Sequence, residues 1–352
     1  QGRLDTPPGL DKAPVRAEPY PRRLVRPHHR VQLAWLERLE VVQQGTVQAR
    51  ADTPPLLVGQ NPNAQLEPTR PVRLRLVPRR KMRRVVEIIE VGDLMARFDE
   101  RIASGFEFGD FQFQIDDQSG DFLQRGVFSC YQPVADDTPM RSDLPKLGTN
   151  EWMDLLCLAH CDKSRAFQLY CDHYRSTDGA VYWSDAHQFT TYVDHYHNTI
   201  DARLGSACKG SEMITEIYVP RSELARFLAA AASDLRRRGA SVIYGTVRLI
   251  ERDEESVLAW AREPWACVIF NICVAHSEAG LGRARGVFRG LIDRAVRLGG
   301  SYYLTYHRFA RRDQVEACHP RMREFLRAKR RLDPDLRFQS DWWRHHERLL
   351  NP

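Results

Sequence analysis

One order of elements occurs twice along the chain, and it narrows the fold more than any other feature. Arg84 to Val91 reads as a strand, Asp93 stands where a helix cap belongs, and Leu94, Phe98 and Ile102 share one helical face. Phe111 to Ile115 then alternates as a half-buried strand does, and Gly126 to Tyr131 supplies an antiparallel neighbour. The order returns as strand Met213–Val219, helix Ser222–Arg238, and strands Ser241–Ile250 and Ala266–Val274. In that second helix Leu224, Phe227, Leu228, Ala231 and Leu235 fall on one face, with Ser222 as the expected cap and Gly239 after the end. Two such units predict an α+β fold, a mostly antiparallel sheet covered on one face by helices. A helix over 283–298 follows, and residues 150–200 read as helical and rich in aromatics and histidine.

Residues 1–83 have a different character. They hold 12 of the 20 prolines, only Tyr20 and Trp35 among aromatics, and 16 Lys and Arg against 7 Asp and Glu. That is a charge of +9, so the net +6 of the chain leaves −3 on the remainder. The basicity belongs to the first segment and is no general argument for nucleic acid. Arg/Pro richness without stacking aromatics also argues against a nucleic-acid-binding arm. Residues 1–71 are expected to be disordered or poorly packed, because they offer too little apolar surface to offset chain entropy. No apolar run reaches the roughly 18 residues of a membrane span. Eight scattered cysteines suit reduced thiols and a cytoplasmic location better than a disulfide framework.

The C-terminal fifty residues carry the densest motif. Gly299-Gly300 ends a helix, Tyr302 to Thr305 reads as a short buried strand, and Tyr306, His307 and Arg308 leave it together. Phe325, Lys329, Asp333-Pro334 and Phe338-Gln339-Ser340-Asp341 follow. This arrangement resembles the C-terminal end of the FAD-linked oxidases of the vanillyl-alcohol oxidase superfamily, in the branch of alditol and decaprenylphosphoryl-ribose oxidases. The likeness runs from about Val72 to the end. It implies a substrate (cap) domain over 84–300 and a return segment to a flavin domain over 301–352. Residues 72–83 would then be the last strand of that flavin domain. The family's glycine-rich diphosphate-binding turns have no counterpart before residue 72. The expectation is therefore a truncated or frame-disturbed chain that binds FAD weakly.

The implied activity is hydride transfer between a hydroxyl-bearing small molecule, such as a polyol, sugar or lipid-linked alcohol, and the flavin. Alternation places Tyr244, Thr246 and Arg248 on one sheet face. A mid-strand arginine there either faces water or lines a cavity for an oxygen-rich substrate. The resemblance favours the second, because a basic residue at the position of Arg248 lines the family's substrate site. Tyr306 stands near a lysine of the family, so His307 or the Tyr306 phenol becomes the expected proton acceptor. Tyr303, facing away from Tyr302, matches a flavin-contacting aromatic; Tyr306 and His307 would also border the cofactor. Asn271, inside the apolar strand, either locks the sheet or points into a pocket. The set is thus Tyr306, His307 and Arg248 for catalysis, Tyr303 beside the cofactor, and Tyr244 and Asn271 for substrate.

A second constellation, Cys157, His160, Cys161, Cys171 and His173, supports the alternative of a non-catalytic, zinc-stabilised or partner-binding protein whose basic N-terminal arm contacts nucleic acid. Its spacing lies outside the usual zinc-finger templates. His187, His195 and His197 with Tyr192 and Tyr196 form another histidine-aromatic cluster, and Tyr182 to Asp185 could wall a pocket or pack into the core.

Overall fold

The structure is a computed structural model that describes residues 79–145, 147–184 and 196–351. The expectations for residues 1–71 and for His187, Tyr192 and His195 lie outside the described residues.

The repeated order takes shape as β1 (Lys81–Glu90), α1 (Leu94–Ala103), β2 (Phe108–Phe113) and β3 (Arg125–Val134), and again as β5 (Gly210–Pro220), α5 (Leu224–Arg237), β6 (Ser241–Ile250) and β7 (Trp265–Ala275). Between them lie α2 (Thr149–Cys161), α3 (Lys163–Ser176), β4 (Val181–Trp183) and α4 (Tyr196–Leu204). After them come α6 (Glu278–Arg297), β8 (Ser301–Tyr302), α7 (Arg312–Cys318), α8 (Met322–Leu332) and α9 (Asp341–Leu350). The strands form one antiparallel sheet in the order β4-β1-β3-β2-β6-β7-β5-β8. Within each unit the third strand sits between the first and second, and the two units meet where β2 pairs with β6.

Period-two alternation divides the sheet. One face presents Phe111, Phe128, Ile217, Val247, Val268 and Phe270, all fully buried or nearly so. Phe98 of α1, Phe227 and Leu228 of α5, and Phe288, Leu291 and Ile292 of α6 belong to the same core. Each such buried side chain contributes roughly 1.5–3 kcal/mol relative to exposure. The other face is the more polar, carrying buried Arg84, Glu212, Glu216 and Arg248 beside a smaller apolar cluster of Ile214, Tyr218, Trp265, Cys267 and Ile269, and here the structure differs from the expected single helical layer. Helices α2 to α4 lie across part of it, with Tyr174 of α3 over Arg84 and Tyr196 of α4 bonded to Glu212 of β5. A sheet face carrying buried charges needs partners and cover of its own.

Several boundaries shift for local reasons. Strand β1 runs unbroken through the expected junction between residues 83 and 84. Asp93 occupies the expected N-cap position but makes no side-chain cap bond, whereas Ser222 sits inside a short 3₁₀ turn over Arg221–Glu223 and is not the cap expected of it. Helix α6 starts five residues earlier than residue 283 because Ser277 caps it through Gly280 N–H at 3.1 Å. The strand expected over Tyr302–Thr305 ends after Tyr302. The return segment also shares the main core, through Tyr302, Val315, Cys318, Met322, Trp343 and Leu350. Its Lys329…Asp333-Pro334 motif closes a turn: Lys329 pairs with Asp333, whose carboxylate accepts from the Arg337 and Phe338 N–H groups.

Glycine is required where α6 returns to the sheet. Gly299 has φ +78°, and a Cβ on Gly300 would lie 2.0 Å from the Tyr218 carbonyl oxygen. Replacing Gly300 with Ala is expected to cost about 1–3 kcal/mol, the usual price of overpacking. Gly120→Ala, with open space at its Cβ, should stay within about 0.5 kcal/mol. Urea denaturation of the two variants checks the contrast.

Candidate functional site

Register places the candidate residues side by side. Across β6, β7 and β5 the rows are Arg248–Cys267–Tyr218, Thr246–Ile269–Glu216 and Tyr244–Asn271–Ile214. All point from the polar face, so Tyr244, Arg248 and Asn271 share it as alternation predicts. Continuing outward, Gln112 of β2 lies opposite Thr246.

Glu216 is the centre of this face and was missed in the sequence. It is 4 % exposed; Tyr218 Oη donates to its Oε2 at 2.7 Å and Tyr306 Oη to its Oε1 at 3.2 Å. Burial pushes its pKa up, while the two phenols and the Arg248 charge pull part of the way back. The signal was present: an acidic residue inside Met213–Val219, two before Tyr218, is as anomalous there as Asn271 is in β7. Burial also raises Tyr306 and Cys267, whose neighbours include Glu216, so both are held neutral.

Tyr306 and Arg248 therefore flank one carboxylate although 58 positions separate them in sequence. Tyr303 joins this side, its ring edge-on to Tyr306 at 5.3 Å and its N–H bonded to the Glu216 carbonyl. His307 does not join them. It lies beneath the opposite, helix-covered face, stacked on Phe288 at 4.5 Å. Phe309 N–H donates to its Nδ1 at 3.4 Å, and its Nε2 meets Thr215 Oγ1 at 3.2 Å. Burial depresses it to about 4, so it is neither placed nor tuned as the proton acceptor expected of it. Arg308, the third residue of the exit, is exposed and reaches the Asp341 carbonyl at 3.3 Å.

Two cavities open on the polar side. One, of about 120 Å³, lies between the sheet and helices α2 to α4 and is lined by Gln112, Tyr244 and Asn271 together with Phe113, Trp152 and Tyr170. The other, of about 320 Å³, is walled by Trp260, Tyr303 and Trp342, with His319 at its edge. His319 Nε2 meets the Tyr302 carbonyl at 3.1 Å, and its buried Nδ1 has no partner.

The expected zinc cluster disperses. His160 Nε2 meets Glu212 Oε1 at 3.0 Å, with Tyr196 Oη on the other carboxylate oxygen at 2.5 Å, while Cys157 faces Arg203. Among the described residues no three His, Cys, Asp or Glu side chains gather to hold a metal ion. All eight cysteines are free. Tyr182 and Trp183 pack against cations, Arg84 over the first and Arg79 over the second, rather than walling a pocket. No described helix is long and apolar enough to cross a membrane.

Compared with known proteins, the chain matches no family model and no curated protein.

Burial of His307 and His319, held down to about 4 and about 3, gives a pH prediction. Unfolded, each binds a proton near pH 6.5; folded, neither does until well below that. The unfolded chain thus binds more protons in this window, so stability falls as pH drops from 6.5 towards 4. The loss is about 1.4 kcal/mol per pH unit for each histidine. Urea titrations of the protein and its His307→Gln variant should give stabilities whose difference changes by that slope between pH 6.5 and 4.

Proposed function

We propose that the chain is the substrate-binding part of an FAD-linked oxidoreductase of the vanillyl-alcohol oxidase type, acting on a hydroxyl-bearing small molecule. The observation that carries the reading is the Glu216–Tyr306–Arg248 cluster on the polar face of the sheet. Oxidising an alcohol requires a group to take the hydroxyl proton and an acceptor for two electrons. A buried carboxylate whose pKa is raised suits the first task, because its basicity moves towards neutral pH. Tyr306 bridges outward from Glu216 and can pass that proton along a hydroxyl chain. Arg248 supplies positive charge for the oxygen as its proton leaves.

A bound flavin would supply the electron acceptor. The described residues fit its ring: Trp260, Tyr303 and Trp342 offer aromatic walls around about 320 Å³, and the unpartnered His319 Nδ1 offers a polar contact. The diphosphate finds no comparable bed among them. The small-molecule substrate then lies between this cleft and the cavity bordered by Tyr244 and Asn271.

The test is a fusion that places a diphosphate-binding flavin domain of this superfamily ahead of β1. The expected product is yellow protein whose flavin is reduced by alcohols without added metal. Glu216→Gln should slow that reduction by about 10²–10⁴-fold, the range of a lost general base, and remove its acid limb, while Trp342→Ala loosens the flavin. A folded fusion that never retains flavin would show the reading to be wrong.

A further inference from the structure

We infer that the cavity beneath helices α2 and α3 is the ring pocket of the substrate site, and that it takes a compact six-membered cyclic amide, with N–H beside C=O on its edge. This rests on the reading above in treating the ligand as substrate; the binding itself needs no flavin. Size comes first. At about 120 Å³ the cavity is close to the roughly 150 Å³ that accommodates benzene in an engineered apolar core. Its walls include Phe113, Trp152, Phe167 and Tyr170, which suit the faces of a flat ring.

Polar groups decide the class. Asn271 and Gln112 both line the cavity and both are more than nine-tenths buried. Gln112 Nε2 donates to Asp110 Oδ2 at 2.7 Å, which fixes the amide and leaves its Oε1 without a partner. Asn271 Oδ1 has no partner either. Buried amide oxygens in this state are rare, because each has given up water for nothing in return. The Asn271 amide also carries a donor in the same plane as its acceptor, so it matches a ligand edge that offers one donor and one acceptor together. A cyclic amide has that edge on a ring of the right size. An open-chain polyol instead brings several hydroxyls, and the remaining polar groups are engaged: Glu212 by His160 and Tyr196, and Tyr170 by Tyr174. Benzene fits the walls but answers neither oxygen, whereas the one N–H of a cyclic amide answers Asn271 Oδ1 while its C=O accepts from the Asn271 amide N–H.

The experiment titrates the full chain with 2-pyridone, benzene and sorbitol, followed by calorimetry and by ligand-detected NMR. The expected result is saturable 2-pyridone binding at least tenfold tighter than benzene, with no saturable sorbitol binding. Asn271→Leu should weaken 2-pyridone by tenfold or more and leave benzene within twofold. Asn271→Val repeats the test should the Asn271→Leu variant not fold, and Ala166→Leu, which fills the cavity, should abolish both ring ligands. Equal binding of benzene and 2-pyridone, unchanged 2-pyridone binding in the Asn271 variant, or sorbitol binding alone would overturn the inference. So would cavity filling that leaves 2-pyridone bound. A fusion without redox activity that still binds 2-pyridone overturns the flavin reading alone; an active fusion that ignores 2-pyridone overturns the pocket alone.

Discussion

The sheet depends on a short stretch of ladder at its centre. Strands β2 and β6 pair only through Phe111–Val247 and Gln112–Thr246, yet this contact turns two three-stranded units into one surface. Its polar side is closed by Asp110, buried, which accepts from Thr246 Oγ1 at 3.2 Å and from Gln112 Nε2 at 2.7 Å. Its apolar side is closed by Phe113, whose ring lies where a side chain on Gly245 would have to be. A hydrogen-bonded acid on one face and an aromatic ring on the other thus fix the junction from both directions. Without that junction, α2 to α4 would have no continuous floor to cover, and the cavity beneath them would not exist.

Burying a charge is costly unless it is paired and hydrogen-bonded, so a sheet face with several buried acids and arginines constrains its whole neighbourhood. Arg84 shows one solution. It lies among the rings of Tyr131, Tyr174 and Tyr182 and donates to Tyr131 Oη and Thr177 Oγ1, just past the end of α3. A cation is favourable at the carbonyl end of a helix, so this arginine ties α3 to β1 while remaining charged. Asn271 and Gln112 show the contrasting case, where the fold leaves amide oxygens unanswered beside a cavity.

Much of this was readable from residue patterns, because period two is a strong signal where one face is apolar. It puts Tyr244, Thr246 and Arg248 together and turns Tyr303 away from Tyr302. It does not extend to His307: the strand ends after Tyr302, and the turn that follows carries Tyr306 to Glu216 on one face and His307 to Thr215 and Phe288 on the other. What periodicity does not carry is partner identity. Nothing in Phe111–Ile115 or Ser241–Ile250 says that β2 and β6 are neighbours, and only that pairing brings Gln112 near Asn271. The helical stretch over 150–200 likewise showed no preference for either face, since the cover it provides is decided by Arg84 and Glu212, residues remote in sequence. Glu216 is legible in principle, but a single acid in an apolar strand reads first as a local irregularity.

The two acids of β5 show how position on one strand sets different chemistry. Glu212 and Glu216 point from the same face, four residues apart, and burial pushes both towards the neutral form. For Glu212 the bonds from His160 and Tyr196 outweigh burial, and its pKa falls below the ordinary carboxylate value. For Glu216 the partners are two phenols and the Arg248 charge, burial wins, and the pKa rises. An acid held ionised between a histidine and a tyrosine serves best as a fixed anchor, here of α2 and α4 against β5. On this strand the division falls between the histidine side, where α2 covers the sheet and the acid is held ionised, and the tyrosine side, where the aromatic cleft opens and burial prevails over two phenols and the Arg248 charge.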